Sequence, residues 1–304
     1  MTLFLEQLLN GLQFGVMLFL MAAGLTLIFG IMGIINLAHG SIYMVGAYAG
    51  ALVITETDSF LLGIPAALVV AAIVGILMEV TVIRRLYRRD HLDQVLATFA
   101  IILILNQAIT ILFGRQPLFA AMPAGLGGSI ELLPGLIYPV YRLAIIVVGL
   151  SVAAGLYLLI NRTRIGMLVR AGSTNRDMVR ALGVDIRMLY TIVFGLGALL
   201  AGLAGLMAGP ILAVQVGMGE QILITTFVVV VIGGVGSIKG AFYASLIIGV
   251  VDTLLRAYLP GLLRQFMVGS EADALGAGVS SMGIYLLMAL VLLARPKGLF
   301  VADS

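Results

Sequence analysis

Only 10% of the 304 residues carry charge, histidine occurs twice and cysteine not at all. The missing cysteines exclude disulfides and thiolate metal centres within the chain. His39 and His91 with no thiol make a poor kit from which to assemble a nucleophile, a base or a metal set, so no catalytic residues and no metal site are expected. This argues against an enzyme acting on lipid from within a membrane. The scarcity of charge also excludes an ordinary soluble domain. Such domains average about half apolar residues, whereas this chain is 62% hydrophobic with a mean hydropathy of +1.20.

Nucleotide motifs are absent as well. The glycine run IGGVGSIKGAF (232–242) has the wrong spacing for a phosphate-binding loop, because Ile238 stands where the second glycine belongs and Gly240 follows Lys239. It also fails the dinucleotide pattern, in which a glycine is needed one place earlier. The start, MTLFLEQLLNG, has no basic segment, so no cleavable signal peptide is expected. The net charge of +3 reflects arginines in short loops and implies no nucleic-acid partner.

What the chain does have is long charge-free runs. Residues 7–55, 59–78, 94–114, 143–161, 188–219, 221–238 and 274–294 contain no Asp, Glu, Lys or Arg. A helix needs about 20 apolar residues to cross the hydrocarbon core, so the first window predicts two crossings and the others about one each. A further span over 240–260 carries Asp252 and Arg256, spaced to pair along one helix face. The expected fold is all-α, a polytopic membrane bundle of about eight or nine helices with glycine-broken segments, forming one transmembrane domain over 1–304.

Charge then sets topology. Arg84, Arg85, Arg88 and Arg89 follow one span, and a polar island over 162–187 follows two spans later with six arginines against two aspartates. An even number of crossings puts both on one face, which the positive-inside rule makes cytoplasmic. The proline- and glycine-bearing stretch 114–142 is then an extracytoplasmic loop, the tail ARPKGLF (294–300) is cytoplasmic, and the N-terminus lies outside if 7–55 crosses twice. Within the island, apolar residues from Gly166 to Leu182 fall at helical spacing and Gly183 supplies a stop, predicting a short amphipathic helix. Such a helix suits either a groove on another protein or anionic membrane lipid.

Glycine marks the other candidates. A broken helix frees N–H groups that favour a substrate carboxylate, and two segments have the glycines for it. NLAHGSIYMVGAYAG (36–50) aligns Gly40-Ser41-Ile42 with Gly236-Ser237-Ile238 of the second run. Candidate path residues are therefore Asn36, His39, Gly40, Ser41, Gly234, Gly236 and Ser237, although a short turn or close helix packing explains the same glycines. Small residues every four positions, Gly197, Ala201, Gly205 and Gly209, predict a face for close helix approach.

The segments GLTLIFGIMGIINLAHGSIYMVGAY (24–48), RALGVD (180–185), GGVGSIKGAFYASLIIG (233–249) and RPKGLF (295–300) together resemble the LivH-type permeases, inner-membrane subunits of ABC importers for branched-chain amino acids. The resemblance runs through nearly the whole chain. It implies a bacterial plasma-membrane importer working by alternating access. The implied partners are a LivM-type second permease, two cytoplasmic ATPases that bind the ATP and magnesium, and an external solute-binding protein. It further implies that the island docks the ATPases, a role that maps onto Arg170, Ala171, Arg180, Ala181, Leu182, Gly183 and Asp185. The alternative is an ion-coupled secondary transporter using His39, Glu79 and Asp252. Permeases of this kind also serve other small solutes, so the spans alone do not separate amino acids from urea or amides.

Overall fold

A computed structural model describes residues 2–87, 89–123 and 125–300, without the side chains of Arg176 and Asp177. Arg88 of the basic cluster lies outside the described residues. The order is α1 (Thr2–Met32), α2 (His39–Thr57), α3 (Phe60–Met78) continued through a π-helical turn (Glu79–Ile83) into α4 (Arg84–Leu86), and α5 (His91–Phe113). A hairpin of β1 (Ser129–Leu133) and β2 (Leu136–Pro139) precedes α6 (Val140–Arg162). Then come α7 (Arg164–Thr174), α8 (Arg176–Ala181), α9 (Ile186–Ala208), α10 (Met218–Gly233), α11 (Ile238–Leu263) and α12 (Gly269–Ala294).

Seven of the described helices are long and apolar enough to span a membrane, and α10 is a shorter apolar one. The remaining helix of the bundle, α2, has 19 residues and a polar first turn. α1 is apolar all round because it is buried all round: from Val16 to Ile28 every residue is enclosed, and α9, α10, α11 and α6 pack against it. The outer helices α3, α5, α6, α11 and α12 instead leave Leu61, Leu103, Val147, Leu262 and Leu290 more than half exposed. In lipid that outward apolar surface is the solvated state, so association rests on close packing rather than on a hydrophobic drive.

Close approach is where the small residues act. Gly197, the midpoint of α9, packs on α1, with the Gly197 carbonyl 2.7 Å from where a Cβ on Gly24 would stand. Farther along the same face Gly205 receives the Tyr43 carbonyl of α2, leaving no room for a side chain. Ala201 is fully buried, and Gly209 faces Ala120 and Val214 at the end of the stripe.

The helix ends sort into two sets. At one end meet the last turn of α1, α4, α7, the start of α9, the α10–α11 turn and the C-terminal tail: Gly30 touches Gly236, Gly172 faces Ile31 and Leu189, and Arg84 bonds Thr191. At the other end Arg142 bonds Asn10, the Tyr141 hydroxyl donates to Met207 O at 2.9 Å, and Leu118 bridges Val214. The hairpin at this end was not anticipated by the reading of 114–142 as a loop. Its two-residue turn, Pro134-Gly135, has proline to preset φ and glycine at φ 81°, a type II combination.

Candidate functional site

α1 stops at Met32 and the chain runs without regular structure through 33–38 before α2 begins. Irregular backbone inside an apolar bundle is tolerated only when protein groups satisfy it. Asn36 supplies one such group, its Oδ1 accepting from Ala38 N at 3.1 Å. Gln94 supplies another: Oε1 accepts from Ile35 N at 3.4 Å while its amide donates to the Leu86 and Arg89 carbonyls. The connector is thereby tied to the α4–α5 corner.

Four of the path candidates gather here. Asn36, His39 and Ser41 are buried, and the His39 ring lies against Gly24 of α1, close to the Gly197 contact. The ring faces the Met21 carbonyl without closing a hydrogen bond of standard geometry. The Ser41 hydroxyl and the Asn36 amide nitrogen have no partner among the described residues. No side chain caps the first turn of α2. Gly40 meets Gly219, in the first turn of α10, backbone to backbone. Two helices therefore begin against each other inside the bundle, and the sequence alignment did not identify the second of them.

The other three path candidates are elsewhere. Gly234 and Gly236 adopt φ 99° and 84°, a conformation that favours glycine, and form the α10–α11 turn. Ser237 caps α11 by accepting from Gly240 N at 3.1 Å. The tail closes over this turn: Leu299 N and Phe300 N donate to the Ile232 and Gly233 carbonyls, and Phe300 stacks on Tyr243. The structure thus separates Gly40-Ser41 from Gly236-Ser237. Both pairs start helices, but only the first does so beside another helix start.

The polar island is two helices rather than the single one expected over Gly166–Leu182. Asn175 ends α7 in an extended conformation (φ −152°, ψ 94°) and caps α8, its side chain accepting from Met178 N at 2.9 Å. A side-chain acceptor at that position competes with helix continuation. α7 turns Gly166, Val169 and Gly172 inward, whereas Met167, Met178, Leu182 and Met188 are more than half exposed. All seven residues expected to dock a partner, Arg170, Ala171, Arg180, Ala181, Leu182, Gly183 and Asp185, are exposed. Arg170 folds back onto the Ile160 carbonyl at the end of α6, and Asp185 caps α9 by accepting from Arg187 N and Met188 N. Gly183, at φ 83°, makes the turn between them.

A polar cluster lies directly behind this loop. Glu79, fully buried in the π-turn, accepts from Arg84 Nε at 3.1 Å, Arg84 Nη at 2.8 Å, Thr191 Oγ1 at 2.8 Å and the Tyr87 hydroxyl. Thr191 stands in the second turn of α9, so the cluster joins the α3–α4 rod to the helix that leaves the island. An acid five residues before an arginine in a charge-poor span was the available signal for it. Asp252 is paired separately with Arg256 at 2.8 Å. Each acid of the alternative ion-coupling route thus has its own arginine. Among the described residues no cluster of His, Cys, Asp and Glu could hold a metal.

Residues 7–294 match the family described as "Branched-chain amino acid transport system / permease component". The chain belongs to that family. The permease is 30% identical over 310 residues to the high-affinity branched-chain amino acid transport system permease protein BraD of Pseudomonas aeruginosa, covering 97% of this chain and 95% of the relative. LivH of Salmonella typhimurium is 30% identical over 84% of this chain and 87% of its own length. A more distant relative is the ribose import permease protein RbsC of Escherichia coli, 26% identical over 77% and 72%. No solved structure matches. The permease is thus a multi-pass membrane protein and the transport subunit, not an enzyme, of an ABC system that includes ATPase and binding-protein partners.

Proposed function

We propose that this permease carries branched-chain amino acids across the inner membrane by alternating access, with a LivM-type second permease beside it. Two cytoplasmic ATPases bind ATP and magnesium and drive the cycle, and an external binding protein delivers the substrate. The observation that carries this reading is the knuckle over 178–182, which exposes the apolar Met178 and Leu182 at the arginine-rich end of the bundle. Leu182 is 76% exposed, yet the loop is braced by three internal contacts, through Arg170, Asn175 and Asp185. A rigid loop presenting apolar side chains among arginines suits a protein groove better than free solvent.

On this reading Ala171 and Arg180–Gly183 touch the ATPase, while Arg170 and Asp185 fix the loop that presents them. ATPase closure pulls the island, and the Glu79–Arg84–Thr191 cluster passes the displacement to α3 and α9. The substrate path runs past Asn36, His39, Gly40 and Ser41. Gly234, Gly236 and Ser237 shape the turn at its inner end.

The test is a double variant, Arg180→Glu with Gly183→Pro. Proline at φ near −65° cannot adopt the turn of Gly183, and glutamate reverses the charge at the docking face. ATP-driven leucine uptake by the reconstituted complex should fall at least roughly tenfold, as expected when an interface anchor is lost, with the variant still in the membrane. Normal uptake and normal recovery of ATPase subunits with the purified variant would sink the docking role.

A further inference from the structure

Glu220 is a half-buried acid of the bundle with no cation beside it among the described residues. Among the described residues Glu79 pairs with Arg84, Asp252 with Arg256 and Asp273 with Arg264, and Glu220 has no such partner. It stands in the first turn of α10, one residue after the Gly219 that meets Gly40. Its Oε1 accepts from Asn106 Nδ2 of α5 at 2.8 Å. With its amide nitrogen used in this way, Asn106 leaves Oδ1 buried and unpaired. Glu220 Oε2 lies 3.2 Å from where a Cβ on Gly217 would stand and bonds nothing among the described residues. Two acceptor oxygens and a carboxylate without a cation are therefore collected at one half-buried point at the start of α10, an arrangement suited to a cationic donor.

The groups across the contact have the opposite character. Ser41 N lies 3.1 Å from the position a Gly219 Cβ would take, so the first turn of α2 is the immediate neighbour. That turn has no side-chain cap, and the buried Ser41 hydroxyl is unpaired. The His39, Ser41 and Ile42 amides of that turn are taken by the Asn36 and Ala38 carbonyls, which leaves Gly40 N and the Ser41 hydroxyl as its donors for an anion among the described residues.

We propose that Glu220 and Asn106 bind the ammonium group of the substrate, and that the first turn of α2 with Ser41 binds its carboxylate. This rests on the transport reading above and names the residues that recognise its substrate. The site takes a zwitterionic α-amino acid and rejects neutral solutes such as sugars and urea, which cannot neutralise Glu220. With Gly40 against Gly219 the site is closed in this conformation, and it opens as α2 and α10 separate.

The experiment uses the whole complex, with second permease, ATPases and binding protein, in liposomes, and measures ATP-driven uptake of radiolabelled leucine. Glutamine at position 220 keeps an oxygen to accept from Asn106 but removes the charge. Glu220→Gln should therefore lose uptake by roughly tenfold or more, the usual penalty for removing one partner of a charged pair. Glu220→Asp, which keeps the charge, should recover most of it. A purely structural role predicts the reverse, with the isosteric Gln near normal and the shorter Asp defective, and that pattern would overturn the site. If the wild-type complex itself takes up no amino acid, the transport reading fails and the site fails with it. A working wild type with an equally active Glu220→Gln removes the site alone.

Discussion

At the scale of single residues, the bundle is set by where a side chain has no room. Gly205 belongs to the small-residue stripe read from the sequence, and Gly155 does not. In the structure a Cβ on Gly205 would collide with the Tyr43 carbonyl, whereas one on Gly155 would meet nothing within 4 Å. Backbone cannot yield as a flexible side chain can, so Gly205→Ala should cost about 1–3 kcal/mol as overpacking. Gly155→Ala lies on an exposed face of α6 and should be neutral or stabilise by up to about 1 kcal/mol through helix propensity. Thermal unfolding of the two variants in one detergent checks this. Equal melting temperatures would mean that α2 and α9 are not held at backbone contact.

At the scale of elements, the α3–α4 rod shows how a polar cluster can override regular helix geometry. The π-turn Glu79–Ile83 inserts where Glu79 collects hydrogen bonds from Arg84, Tyr87 and Thr191. Burial and the adjacent carboxylate push the Tyr87 phenol up, keeping it a donor across the physiological range. Glu79→Ala would leave the guanidinium with no carboxylate and only the Thr191 hydroxyl to accept from it, and should cost about 3 kcal/mol, the low end for breaking a buried pair because Arg84 is 31% exposed. Thr191→Val removes the hydroxyl that donates to Glu79 and accepts from Arg84 and should cost about 1–2 kcal/mol. Denaturant melts of both variants test the ranking, and a Thr191→Val loss as large as that of Glu79→Ala would contradict it. Elements of this kind bound what the sequence could reveal. The long spans were legible because charge-free windows of about 20 residues have one physical meaning in a membrane. The polar island was legible as an interruption, and Gly183 as its stop. The Asn175 break was not, because Asn is tolerated in helices and declares a cap only when its side chain turns back. The meeting of Gly40 with Gly219 was equally hidden, since residues 179 positions apart in the chain are brought together only by the packing of α2 on α10. Local similarity pointed to Gly236-Ser237 instead, which has the same composition for a different reason, a tight turn under the tail.

At the scale of the whole molecule, the end-to-end asymmetry of charge sets orientation. Of the described basic residues, only Arg115, Arg142, Arg256 and Arg264 fall in or toward the end that carries the hairpin. Arg84, Arg85, the island and the tail lie at the other end, and on the positive-inside rule we propose that the island and C-terminus face the cytoplasm and the hairpin the outside. The absence of cysteine makes this directly measurable, because any introduced thiol is the only one in the chain. Ser129 on the hairpin and Ser173 on α7 are both exposed. In intact cells with a permeable outer layer, a membrane-impermeant maleimide should label Ser129→Cys at once. Ser173→Cys should react only after the inner membrane is opened. The reverse pattern would turn the molecule over, and the knuckle at Met178–Leu182 would then face away from any ATP-driven partner, so one labelling experiment tests orientation and the docking assignment together.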